Sequence, residues 1–208
     1  MKKLRIALTK GRLEKSTLEL FSKAGYDCTQ LLDKGRKLIF NVLNADIEIV
    51  LVKANDVITY VEHGVCDIGI VGKDTILESG KSFYEVLDLG FGKCRFALAG
   101  KKGVPFYEGY DKKVIATKYE KVARSFFQKK DIDVEIIKID GSVELAPILG
   151  LSNAIVDIVE TGATLKENGL EIIEEICEIS ARVIVNIASM KMKKKEIDLF
   201  INKIAEAL

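Results

Sequence analysis

AIVDIVETGATL, residues 154–165, joins a buried strand, a loop of small residues and a helix start without a break. From Ala154 to Val159 it is apolar on both faces except at Asp157, the pattern of a strand inside a covered parallel sheet. Glu160-Thr161-Gly162-Ala163-Thr164 then turns into the helix. That turn brings backbone N–H groups, two hydroxyls and the positive end of a helix dipole to one anion-sized space. Thr-Gly-X-Thr suits an ordinary helix cap equally well. Asp157 tilts the choice, because an aspartate inside an apolar strand is costly unless it pairs, lies at an edge or binds something. With Glu160 beside it, the loop fits a phosphate flanked by two acceptors for sugar hydroxyls, which is the chemistry of a ribose 5-phosphate.

Outward from this segment, strands and helices alternate, which implies an α/β fold. Strands are expected at Leu4–Thr9, 37–42, Ile47–Val52, 67–71, 95–99, 114–117, Val134–Lys138, 173–179 and 182–186. Helices are expected at 13–24, 57–63, 74–78, 120–130 and 143–149, from Thr164, and at 194–207. There is no flexible linker and no internal repeat. Loosely composed crossings at 89–93 and 178–181 separate an inserted middle lobe from an outer lobe made of both chain ends. Such an arrangement places ligands in a cleft, outside the carboxyl ends of strands.

Composition narrows the function classes. A chain of 208 residues with 48% hydrophobic and 30% charged residues and a formal net charge of +1 reads as an ordinary soluble protein with one sizeable core or two small ones. Lysine and arginine are dispersed, and the compact basic run at 191–195 reads as a solvated helix start, so nucleic acid is not an expected partner. No apolar run reaches membrane-spanning length and MKKLR leads directly into a strand, so the expected location is cytoplasmic with no membrane contact. Cys28, Cys66, Cys94 and Cys177 form no C-x-x-C pair and His63 is the sole histidine, a set that supports neither a zinc site nor a disulfide framework. Buried reduced thiols and a histidine at a helix end are the expected roles.

Other strand-to-helix loops offer groups that a shared ligand would need. Lys10-Gly11-Arg12 follows the first strand, and cations at a helix start are unfavourable unless an anion is present; this is a second anion candidate. Arg36, just before a strand, is positioned to join them. Gly72-Lys73-Asp74 reads as an anion loop or as a plain turn. At Lys118-Tyr119, the tyrosine either stacks on a base or packs. Glu144 opens a helix, where compensation of the dipole explains it as well as ligand contact does.

Taken in order, KGRL (10–13), RKLIF (36–40), DVITYVEHG (56–64), DIGIVGKD (67–74), ATKY (116–119), ELAP (144–147) and the segment at 154–165 resemble the ATP phosphoribosyltransferase family. The resemblance spans nearly the whole chain and fits the short form, which lacks a C-terminal regulatory domain. It implies a two-lobed periplasmic-binding-protein-like (type II) α/β fold, each lobe a mainly parallel sheet flanked by helices, with the active site in the cleft. The outer lobe would be 1–92 with 181–208, and the inserted lobe 93–180. The implied reaction joins N1 of the ATP adenine to C1 of phosphoribosyl pyrophosphate and releases pyrophosphate, with Mg2+ escorting the pyrophosphate. Arg12 and Arg36 would serve catalysis, and Lys10 would bind phosphoribosyl pyrophosphate. Glu160 to Thr164 would cradle the 5-phosphate, and Asp157 with Glu160 would hold the ribose hydroxyls. Lys53, Lys118, Tyr119 and Glu144 would face ATP.

The resemblance further implies a homodimer within a hetero-oligomer, completed by a regulatory subunit related to histidyl-tRNA synthetase. Two departures stand out. Lys53 replaces the family's usual arginine, turning a forked contact into a point charge, and Ser152-Asn153 replaces an Ala-Asp pair. The competing readings are a phosphoribosyltransferase for another base and a non-catalytic two-lobed binding protein.

Overall fold

The computed structural model describes residues 3–80 and 82–208; Met1 and Lys2, which begin the MKKLR start, and Lys81 lie outside it. The described chain forms two compact units, one running up to Gly92 and resuming at Ser180–Leu208, the other spanning Lys93–Ile179.

In chain order the first unit contains β1 (Leu4–Thr9), α1 (Arg12–Lys23), β2 (Ile39–Asn41), β3 (Ile47–Val52), α2 (Ala54–Glu62), β4 (Ile68–Gly72), α3 (Lys73–Ser79) and β5 (Tyr84–Asp88). The second contains β6 (Cys94–Lys101), β7 (Lys113–Thr117), α4 (Glu120–Gln128), β8 (Val134–Lys138), α5 (Leu145–Ile148), β9 (Ala154–Val159), α6 (Ala163–Glu167) and β10 (Leu170–Ile179). The chain then re-enters the first unit as β11 (Ala181–Val185), α7 (Ile187–Met192) and α8 (Lys194–Glu206).

The first sheet has the order β2-β3-β1-β4-β11-β5 and the second β10-β6-β9-β7-β8. The α/β reading holds, but the expectation of mainly parallel sheets does not. Parallel pairing is confined to β3-β1-β4 and β9-β7-β8, while β2, β5, β6, β10 and β11 pair antiparallel. The parallel strands are joined by crossovers that carry helices; the strands by which the chain leaves and re-enters the first unit make antiparallel pairs. β5 has no counterpart among the expected strands, because Tyr84–Asp88 lies half-exposed at a sheet edge and shows no clean alternation. The expected helix at 143–149 is only the four-residue α5, consistent with Pro147 inside the segment.

Period-two alternation explains the layers. On one face of the first sheet, Ile6, Leu8, Ile49, Ile68, Ile70 and Val183 pack with Phe21 of α1 and Phe200 of α8. On the other, Ala7, Val50 and Ile184 meet Val57, Ile58 and Val61 of α2. Gly69 allows α2 to seat this closely, since a Cβ there would lie 2.8–2.9 Å from Val57, Val61 and Ile184. In the second unit Phe96, Leu98, Ile115 and Val156 pack with Phe127 of α4. Ala97, Ala116, Ile155 and Val159 form the opposite layer with Ala146 and Leu165.

A buried polar cluster fastens the returning chain to the first unit. Asn186 Nδ2 donates to the Val61 carbonyl at 2.7 Å, and its Oδ1 accepts the Ser189 N–H at 2.9 Å, which caps α7. Asp67 accepts from the Arg5 N–H (2.9 Å), Ser189 Oγ (2.7 Å) and Lys193 Nζ (2.7 Å). Asn186→Ala is expected to lower stability by about 1–3 kcal/mol, because it removes a helix cap and a buried hydrogen bond to the Val61 carbonyl, which keeps only the Gly64 N–H. Chemical denaturation followed by circular dichroism measures this; an unchanged midpoint would show that the cluster holds without it.

Candidate active site

In the second unit, one hydroxyl shapes the site. β7 and β9 pair through Ile115–Ala154 and Ala116–Ile155. At the next residue, Thr117 Oγ1 donates to the Val156 carbonyl at 2.6 Å and accepts the Tyr119 N–H at 2.8 Å. The side chain thus takes over bonds that the ladder would have made. β7 turns into α4, while β9 continues along β6 with Asp157 opposite Ala97. Asp157 therefore lies past the β7 pairing, on the strand face it shares with Ile155 and Val159.

Asp157 is half-buried. Its carboxyl pKa is pushed up, chiefly by burial and further by Glu144, against the pull of the Ile158 N–H and Lys118. Lys118, at the carboxyl end of β7, and Glu144, just before α5, thus share the electrostatic surroundings of Asp157.

Beyond β9, Glu160 and Thr161 are exposed, and Thr161 Oγ1 accepts the Ala163 N–H at 3.3 Å. The first N–H groups of α6, among them those of Thr164 and Leu165, have no acceptor within the helix. With five residues α6 has little dipole, so what this loop offers an anion is N–H groups and hydroxyls. Gly162 sits at φ 79°, where a side chain is strained. Space is not the reason for glycine there, since a Cβ would make only an ordinary 3.8 Å contact with Val159.

Of the two roles left open for Tyr119, stacking on a base or packing, the structure shows packing. The ring is 9% exposed and meets Phe96 edge-on at 4.8 Å in the core; Lys118, exposed, lies over its other side at 5.7 Å. Asn153 plays a structural part, since its Oδ1 accepts the Val114 N–H at 2.7 Å and its own N–H reaches the Val114 carbonyl at 2.8 Å. An aspartate would accept the same N–H, so the amide keeps the contact that sets the start of β7.

In the first unit, Thr9 of β1 lies opposite Val52 of β3, which brings Lys10 and Lys53 side by side at the carboxyl ends of adjacent parallel strands. Lys10 and Arg12 are exposed on either side of Gly11, whose φ of 100° no ordinary side chain favours. Arg36 is exposed in a turn closed by the Lys37 N–H to the Lys34 carbonyl at 3.0 Å. Gly72-Lys73-Asp74 is a structural turn: Lys73 pairs with Glu85 at 2.5 Å, and the Asp74 carboxylate folds over Gly72. His63 caps α2, and burial pushes the Cys28 and Cys66 thiols up to about 11.

Sequence reasoning missed Glu14, Lys34 and Thr117. Glu14 stands at the third position of a glycine-capped helix, a capping-box signal that was there to find. Its burial and its bond to Lys34 had no sequence signal, and Thr117 is hidden at the end of an apolar strand. Among the described residues, no group of three or more His, Cys, Asp or Glu side chains is arranged to hold a metal, and no helix is long and apolar enough to cross a membrane.

A family model described as HisG, ATP phosphoribosyltransferase, matches residues 53–206. An ATP phosphoribosyltransferase of Clostridium kluyveri is 68% identical over 98% of this chain and 93% of its own. One of Clostridium acetobutylicum is 63% identical over 98% and 94%. Among solved structures, the ATP phosphoribosyl transferase (HisG:HisZ) complex from Thermotoga maritima matches with a TM-score of 0.83 and 39% identity, over 98% of each chain. The periplasmic aliphatic sulphonate binding protein SsuA from Escherichia coli matches with a TM-score of 0.62 over all of this chain and 72% of its own. At 12% identity that likeness concerns the fold alone, and the fold is of the type II periplasmic-binding kind.

Because the Asp157 pKa is raised on folding, the protonated carboxyl favours the folded state. The stability tied to that proton is complete below the ordinary carboxylate pKa and is lost as pH rises through the raised folded value. Asp157→Asn is therefore expected to raise the denaturation midpoint relative to the parent protein at neutral pH, with the gain shrinking toward about pH 3, below the usual aspartate range. Midpoints compared at both pH values check this, and an equal offset at both would contradict it.

Proposed function

The chain belongs to the ATP phosphoribosyltransferase family, and on that footing we propose which of its residues carry the reaction. Adenine N1 of ATP attacks C1 of phosphoribosyl pyrophosphate, the bond from C1 to the pyrophosphate oxygen breaks, and phosphoribosyl-ATP and pyrophosphate result. This is the first step of histidine biosynthesis. The ribose carbon gains cationic character as pyrophosphate departs, so catalysis rests on positioning and on stabilising the leaving group.

The observation that carries the assignment is the half-buried Asp157 at the head of a loop of N–H groups and hydroxyls. In this reading Asp157 and Glu160 hold the ribose hydroxyls, and Glu160 to Thr164 hold the 5-phosphate. Lys10, Arg12 and Arg36 neutralise the departing pyrophosphate; arginine suits this through permanent charge and forked donors. Lys53, Lys118 and Glu144 face ATP, and the buried Tyr119 ring serves the scaffold. The lobe of residues 1–92 and 181–208 carries Lys10, Arg12, Arg36 and Lys53, and the inserted lobe of 93–180 carries Lys118, Glu144 and the phosphoribosyl loop.

Mg2+ would enter as part of the pyrophosphate substrate. The side chains proposed around pyrophosphate are cations, which repel a bare metal ion and attract a metal-bound polyanion. The Thermotoga maritima relative was solved as a HisG:HisZ complex. By the same reasoning this chain forms a homodimer within a hetero-oligomer completed by a regulatory subunit related to histidyl-tRNA synthetase, and works in the cytoplasm.

Incubation with ATP, phosphoribosyl pyrophosphate, Mg2+ and pyrophosphatase, with and without such a regulatory subunit, should yield phosphoribosyl-ATP. Folded protein that yields none under either condition would sink the reading. Arg12→Ala is expected to lower kcat by about 10²-fold or more with little change in substrate KM, since the charge it meets grows in the transition state. Weaker substrate binding at unchanged kcat would assign Arg12 to ground-state binding.

A further inference from the structure

We propose that Glu14 is a positioning residue that holds the two arginine-bearing loops, 10–12 and 34–37, in register; this rests on the reading of Arg12 and Arg36 as the pyrophosphate-facing cations. An acidic residue at the third position of a helix ordinarily serves the dipole from an exposed place. Glu14 is instead buried, its side chain only 8% exposed. A carboxylate removed from water in this way must be fully engaged to be tolerated.

Its two oxygens are engaged in different loops. Oε2 accepts the Gly11 N–H at 3.3 Å, and Oε1 takes a short charge-assisted bond from Lys34 Nζ. Gly11 is the link between Lys10 and Arg12, in a backbone conformation of φ 100° and ψ −138° that ordinary side chains avoid. Lys34 opens the turn that carries Arg36, with Gly35 at φ 51° inside it and the Lys37 N–H closing it.

Each loop is thus flexible in sequence and exposed in structure, yet both end on the same carboxylate. Lys34 lies 20 residues from Glu14, so the contact is a tertiary tie between loops that the local sequence does not connect. The tie leaves the arginine side chains outward while fixing their backbones. It sets the spacing of two cations that must meet one pyrophosphate, where misplacement by about 1 Å can cost on the order of 10²-fold in rate.

The test uses Glu14→Gln, which keeps an acceptor for Gly11 but loses the charge that holds Lys34, with Lys34→Met, the double variant, and Lys34→Arg as the conservative exchange. Turnover is measured in the assay above, and binding of inorganic pyrophosphate with Mg2+ by calorimetry. Glu14→Gln and Lys34→Met are each expected to lower kcat by about tenfold or more and to weaken pyrophosphate by a similar factor. KM for ATP should stay near the parent value in each. The melting temperature should stay near the parent value in Glu14→Gln and fall in Lys34→Met, which leaves the buried carboxylate without its cation. The double variant should be no worse than Glu14→Gln alone, because both changes cut one tie, and Lys34→Arg should recover most of the activity.

Parent-like kcat and pyrophosphate affinity in Glu14→Gln would overturn the proposal. So would multiplicative losses in the double variant, or losses in Glu14→Gln that follow a fall in its melting temperature. If the parent protein formed no phosphoribosyl-ATP, the assigned reaction would fall, while the pyrophosphate titration would still decide the role of Glu14.

Discussion

The Thr117 hydroxyl ends the pairing of β7 with β9 at Ala116–Ile155, before Asp157 is reached, and the candidate loop that follows β9 depends on that interruption. Had the ladder continued, Asp157 would stand between two hydrogen-bonded neighbours in a covered sheet, where an ionised carboxylate has no water and no partner. Because the hydroxyl serves both, the Val156 carbonyl and the Tyr119 N–H keep a partner at the split. The same bond starts α4 and seats Tyr119 against Phe96, leaving Lys118 as the side chain that this loop presents. Burial of Tyr119 and exposure of Lys118 are thus two results of one local geometry.

A second constraint concerns how the first unit stays whole although its chain is interrupted after Gly92. β11 returns between β4 and β5, antiparallel to both. The point of return is stitched by Ser180 Oγ to Asp88 at 2.7 Å and by the Ala181 N–H to the Phe91 carbonyl at 2.9 Å. Asp67 and Asn186 then fasten α7 and the start of α8 to β4 and α2. These are hydrogen bonds among polar side chains and backbone, joined by the Lys193–Asp67 ion pair, and they fix position more sharply than apolar packing does.

Much of this was legible in the sequence, for definable reasons. β1, β3, β8 and β9 match their expected limits because each is a buried apolar run or is bounded by turn residues. α1 and α8 carry clear helical periodicity and fall within one residue of expectation. β5 escaped because an edge strand needs only one apolar face, and Val86-Leu87 between acids shows none clearly. The mixed pairing of the sheets was not legible either, since a buried antiparallel strand such as β6 reads like a parallel one. At the site, acids and cations at strand ends could be picked out by type and spacing. Glu14 and Lys34 could not be joined, because their bond spans two loops and only the folded first unit brings them together.

The mixed topology separates two roles. In each sheet the parallel trio, β3-β1-β4 in one unit and β9-β7-β8 in the other, includes strands whose loops carry proposed substrate contacts: Lys10 and Arg12 after β1, Lys53 after β3, Lys118 after β7, and Glu160 to Thr164 after β9. The antiparallel strands β11, β5, β6 and β10 handle the chain's passage between units on the flank of each trio. Parallel strands send all their carboxyl ends to one edge, so a ligand there meets several helix-entry loops at once. Antiparallel strands alternate direction and cannot gather loops in this way. They let the chain cross out of a sheet and return beside the same strands without a helical connection. Within each unit, parallel pairing gathers helix-entry loops at one edge, and the antiparallel remainder carries the chain out of the sheet and back.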